Sequence, residues 1–116
     1  MRRAFLAGLL GLALAACAGA PAPAAQRYAG SWDWRFETSA FTTDDGQGPW
    51  WLHAEGAAWE RLNAPQALEA GGPWGRVHIV VEGELSAPGR YGHLGAYERE
   101  LRVARVIEAR RIGAPG

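Results

Sequence analysis

Residues 76–85 read Arg-Val-His-Ile-Val-Val-Glu-Gly-Glu-Leu, RVHIVVEGEL. Successive side chains of an extended strand point to opposite faces, so Val77, Ile79 and Val81 share one side with Gly83 and Leu85. His78, Val80, Glu82 and Glu84 share the other. Gly83 allows backbone geometry that a larger residue resists, and in a strand it marks a sharp curve or a bulge. A long curved strand of this kind suits a small closed barrel.

On the C-terminal side, residues 100–110, ELRVARVIEAR, form the expected final strand. Leu101 and Val103 set an inward face, and the adjacent Val106 and Ile107 shift it, which implies a bulge or partial burial on both faces. Leu101, Ala104 and Ile107 also recur at helical spacing, but the Val and Ile content favours β structure. Between these strands lies GRYGHLGAYERE, 89–100, where Gly89, Gly92 and Gly95 permit tight turning around Tyr91 and His93. It reads first as a barrel connection, with Tyr91 and Tyr97 closing an edge.

On the N-terminal side, 31–38 alternates polar and aromatic residues and places Trp32, Trp34 and Phe36 on one face of a strand, with Phe41 continuing the apolar surface after a bend. The run TTDDGQGP, 42–49, is a polar loop. Residues 50–55, WWLHAE, form a second strand whose adjacent tryptophans point to opposite sides. One fills the core and the other covers a barrel mouth or faces a partner. A short helix is expected around 57–62, with Pro65 opposing a longer one. Short strands, one capping helix and glycine-rich turns together indicate a mainly β protein: a small antiparallel OB-like barrel, with an open sandwich as the structural alternative.

The chain of 116 residues begins with Arg2 and Arg3, an apolar run over 4–16 and its sole cysteine, Cys17. A positive start followed by a short apolar segment is an export signal, too brief for a stable membrane-spanning helix. The expected organisation is a signal at 1–16, a lipidated cysteine and Pro-containing tether at 17–27, an OB-like domain at 28–112 and a flexible terminus at 113–116. Without Arg2 and Arg3, ten basic residues face twelve acidic ones, which provides no general electrostatic drive toward nucleic acid. A lone cysteine cannot form an intramolecular disulfide.

Candidate chemistry is sparse. Ser31, Ser39 and Ser86 are the serines, and none stands in a Gly-x-Ser-x-Gly elbow. His53, His78 and His93 converge only if folding brings them together, and no HExxH, paired-cysteine or calcium-loop pattern is present. No catalytic residue, metal ligand or cofactor is therefore assigned. Arg90, Tyr91, His93, Tyr97 and Arg99 form a candidate partner-binding patch, and Trp50, Trp51 and Trp74 a candidate aromatic surface.

Leu14-Ala15-Ala16-Cys17 looks like a bacterial lipobox, and the segments SWDWRFETSAF, WWL, VHIVVEGELS and RYGHLGAYERELRVARV resemble small bacterial envelope lipoproteins with an OB-like domain. The resemblance covers roughly residues 30–110. It implies a lipid on Cys17, anchoring in the envelope facing the periplasm, with the outer membrane favoured over the inner, and no known catalytic set. The expectation is a noncatalytic interaction, assembly or envelope-maintenance module with a protein or glycan partner and no nucleic acid. The alternative is a metal- or small-ligand-responsive binding protein.

Overall fold

The structure, a computed structural model, describes residues 25–67 and 74–114. It contains β1 (Gln26–Arg35), β2 (Thr38–Thr43), β3 (Trp50–His53), α1 (Gly56–Ala67), β4 (Gly75–Leu85) and β5 (Glu100–Gly113). The strands close into a barrel in the order β1-β2-β3-β5-β4, with β4 returning to β1. Every pairing is antiparallel except β3 with β5, which run parallel over three residue pairs, Trp51↔Glu100 to His53↔Arg102. This order, with a helix between β3 and β4, is that of an OB-like barrel.

β1 serves two neighbours at once. It pairs with β4 from Gln26 to Trp34 and with β2 from Gly30 to Arg35. At Gly30 the backbones approach so closely that a Cβ would lie 2.1 Å from the Thr42 carbonyl oxygen. Gly83 of β4 meets the same limit, 2.2 Å from the Arg102 carbonyl oxygen, so the curvature expected there rests on a close backbone approach. β5 accommodates the curve by skipping residues. Val81 pairs with Val106 and Val80 with Glu108, leaving Ile107 as the extra residue, and Ala104 is passed over between Glu82↔Arg105 and Gly83↔Val103. The irregularity expected at Val106 and Ile107 is this bulge.

The inward faces supply Trp32, Phe41, Trp50, Leu52, Val77, Ile79, Val81, Leu101 and Val106, and α1 adds Leu62. The only buried polar residue among those described is Ser39. Its hydroxyl accepts from Trp32 Nε1 at 2.9 Å and donates to the Leu52 carbonyl at 2.7 Å, linking β1, β2 and β3 inside the core. One hydroxyl thereby satisfies a donor and an acceptor that would otherwise be buried without partners.

Three expectations need correction. The strand drawn over 31–38 ends at Arg35; Phe36 and Glu37 form a two-residue turn, and β2 starts at Thr38. The turn resets the alternation, so Phe36 leaves the tryptophan face and is 70% exposed while Ser39 and Phe41 turn inward. No glycine or asparagine announced this turn, because Glu37 itself takes the left-handed conformation (φ 59). The helix runs through Pro65 to Ala67. Proline there removes one bond to the Arg61 carbonyl, which the burial of Leu62 and the packing of Ala58 and Trp59 on the core offset. The domain also exceeds 28–112, because Gln26 and Arg27 pair with Gly83 and Glu82, and Gly113 pairs with Arg76. The signal expected at 1–16, Cys17 and the expected tether up to residue 24 lie outside the described residues.

Removing the Ser39 hydroxyl orphans two buried groups, so Ser39→Ala should lower unfolding free energy by about 1–3 kcal/mol in urea titration. Gly83→Val forces β4 and β5 apart and should cost about as much or more, from overpacking.

Candidate functional site

The connection between β4 and β5, residues 86–99, is a hairpin. Ser86 N–H donates to the Glu100 carbonyl, Glu100 N–H to Ser86 Oγ, and Gly89 N–H to the Glu98 carbonyl. Tyr91 and Tyr97 exchange backbone bonds at 2.9 and 3.1 Å, and a single 3-10 turn over His93–Gly95 makes the tip. Two side chains brace the arms: Arg99 donates to the Ser86 carbonyl at 3.0 Å and the Tyr91 hydroxyl to the Ala87 carbonyl at 2.9 Å.

The hairpin lies against the outer side of β3. Tyr97 meets the Trp51 ring edge-on at 5.2 Å, and Gly92 passes so close that a Cβ would stand 2.3 Å from that indole. Gly92 also has φ 69, so this contact demands glycine twice over. At the tip, His93 Nε2 sits 3.1 Å from Glu37 Oε2, tying the hairpin to the β1–β2 turn. Beside that turn, Phe36 stacks on Trp74 with ring centres 6.2 Å apart. Burial pushes the Tyr97 hydroxyl above its ordinary pKa, with a smaller lowering by the Arg35 charge and a smaller raising by the Asp33 charge.

The most exposed apolar residues are Leu94, at 84%, on the hairpin tip, and Phe36, in the β1–β2 turn that the tip reaches through the His93–Glu37 pair. Leu94 adopts φ 56, a left-handed conformation that a bulky residue rarely takes, at a cost of about 1–2 kcal/mol. The chain holds this side chain out in solvent at some expense.

The five residues of the candidate patch separate by role. Tyr91, His93, Tyr97 and Arg99 hold the hairpin in shape or in place, and Arg90 is left exposed on it. The aromatic surface is corrected at Trp50, which is 7% exposed and packs against Phe41 and Tyr28 in the core. Trp51 takes the outward position because neighbours on a strand alternate. Trp74 remains on the surface, beside Phe36. Leu94 and Phe36 escaped the sequence reading. The signal for Leu94 was a large apolar residue near glycines on both sides, in GHLG; for Phe36 there was none short of knowing the turn.

The histidines stay apart, each with its own carboxylate. His53 pairs with Glu55 at 3.0 Å, His78 with both oxygens of Asp44 at 3.2 Å, and His93 with Glu37. Among the described residues no group of three or more His, Cys, Asp or Glu side chains is placed to hold a metal ion. No family model, curated protein or solved structure matches the chain.

Gly92→Ala should lift the hairpin from Trp51 while the barrel stays folded, seen as loss of the Tyr97 ring-current shifts in NMR. The docking should also weaken as pH rises. A tyrosine whose folded pKa is raised contributes stability below the unfolded value of 10.0, and that contribution is lost as pH climbs through the folded pKa. Tyr97→Phe should remove this dependence in a titration of the Trp51 environment between pH 9 and 12 (about the tyrosine range).

Proposed function

We propose that this chain is a noncatalytic module of the bacterial envelope, held to a membrane through a lipid on Cys17, whose barrel engages a protein or glycan partner in the periplasm. The observation that carries the reading is the braced hairpin, which exposes Leu94 at a tip tied through His93 and Glu37 to the turn that carries the exposed Phe36. Exposed apolar groups held by backbone bonds and an ion pair are ready for contact, because little side-chain and loop freedom remains to be lost on binding. Aromatic rings supply contact area, and Arg90 supplies directed donors.

The address supports this role. The segment 17–25 lies between the lipidation candidate and β1, and nine residues span at most about 30 Å when extended. The barrel is then close to the bilayer surface yet free to meet envelope components.

Cys17→Ser should shift the protein from the membrane to the soluble fraction after cell fractionation. In crosslinking of intact envelopes, Phe36→Ser with Leu94→Ser should remove partner adducts without changing thermal unfolding, since both side chains are exposed. Unchanged adducts in the double variant would exclude this surface.

A further inference from the structure

A second feature lies on β5, away from the hairpin. β3 stops at His53, so β5 has a partner on that side only over Glu100–Arg102. From Val103 onward β5 is laddered on one side alone, to β4, among the described residues. The N–H and C=O groups facing the other way are in the position of a sheet edge, inside a barrel that is otherwise closed.

The space beside this edge is roofed by α1 without being filled. Two adjoining hollows follow β5 from the end of β3. The first, about 360 Å³, lies between His53, Glu55, Arg102 and Val103; the second, about 380 Å³, lies beside Arg61, Arg105 and Ile107. Both share Ala57 and Ala58 of the helix and Ala104 of β5, so where the two hollows meet the helix and the strand face each other through methyl groups. Larger side chains at 57 and 58 would have closed the slot. One edge carbonyl does point toward the helix: Arg61 donates to the Ile107 carbonyl at 3.1 Å. Ile107 is a bulge residue without a partner in β4, which is why its carbonyl is free to turn that way.

The charges around the slot are unequal. Arg61, Arg102 and Arg105 line it against Glu55 alone, which already holds His53. Arg102 and Arg105 pair with Glu100 and Glu82, but their side chains are 68% and 66% exposed, and a guanidinium carries five donors. Unused donors therefore border the slot.

We infer that the β5 edge at 103–107 is a strand-addition site that takes an extended, acidic segment of a partner polypeptide, laid in line with β3 between β5 and α1. Main-chain bonds to β5 would hold the segment. Small side chains would turn toward the alanines, and carboxylates toward the arginines, which is the way an exposed sheet edge recognises peptides. The inference stands independently of the hairpin surface.

The probe is an acetylated, amidated eight-residue peptide alternating valine and glutamate, titrated into the full chain in nonionic detergent and followed by amide NMR and hydrogen exchange. The amides of 103–107 should shift and exchange more slowly, and Tyr97 and Leu94 should not respond. The same peptide methylated at alternate backbone nitrogens keeps every charge and should bind about tenfold more weakly or worse. A valine–lysine version should fail to bind, and Ala57→Trp, at an exposed helix position, should block the slot in a chain that still folds. Equal binding of the methylated peptide, binding undiminished in Ala57→Trp, or no response at 103–107 would overturn the inference.

Discussion

A five-stranded sheet must coil tightly to close on itself, and the tightest bends need positions where no Cβ stands in the way. Gly30 and Gly83 are two such places in this barrel: each lies near 2 Å, measured from an added Cβ, from a carbonyl of the next strand. Their positions set the course of the strands around them. β1 can take up β2 while it continues along β4 because Gly30 lies where the second ladder begins, and β4 can coil around β5 because Gly83 lies at the close approach to Arg102. β5 accommodates them by bulging at Ala104 and Ile107, and the barrel then closes through the short parallel contact with β3.

The same curvature fixes the surface chemistry. With β5 brought round beside β3, the hairpin joining it to β4 is delivered onto Trp51, and its tip reaches the β1–β2 turn. The brevity of β3 has the opposite effect on the other flank, where β5 continues past its partner and leaves an edge for α1 to roof. One small barrel thus carries a covered face and an open slot, with the core relay from Trp32 through Ser39 to Leu52 holding the first three strands in register.

How far these features could be read in advance differs by residue. Strict alternation in β4 and the glycine at 83 announced a curved strand, and adjacent Val106 and Ile107 announced a bulge, because both are violations or fulfilments of a local period of two. The β1–β2 turn was hidden because Glu37 supplies a left-handed residue without a glycine, and its concealment displaced Phe36 from surface to core in the reading. The helix was cut short at Pro65 because local propensity weighs a missing donor but not the burial of Leu62. Among the candidate partner residues, Tyr91 and Arg99 were recognisable as polar groups of a loop, yet their bonds to Ala87 and Ser86 exist only once the hairpin has formed.

The sequence by itself determined the class of architecture: which strands alternate, where glycine must admit a backbone, and that one of two adjacent tryptophans turns out. These are consequences of neighbours along the chain, and periodicity records them. Tertiary structure decided which tryptophan is buried, that three histidines take three separate carboxylates, that Leu94 and Phe36 face solvent, and that β5 outruns β3. Each of those depends on residues far apart in sequence meeting across a closed barrel, and no local period encodes which of them meet.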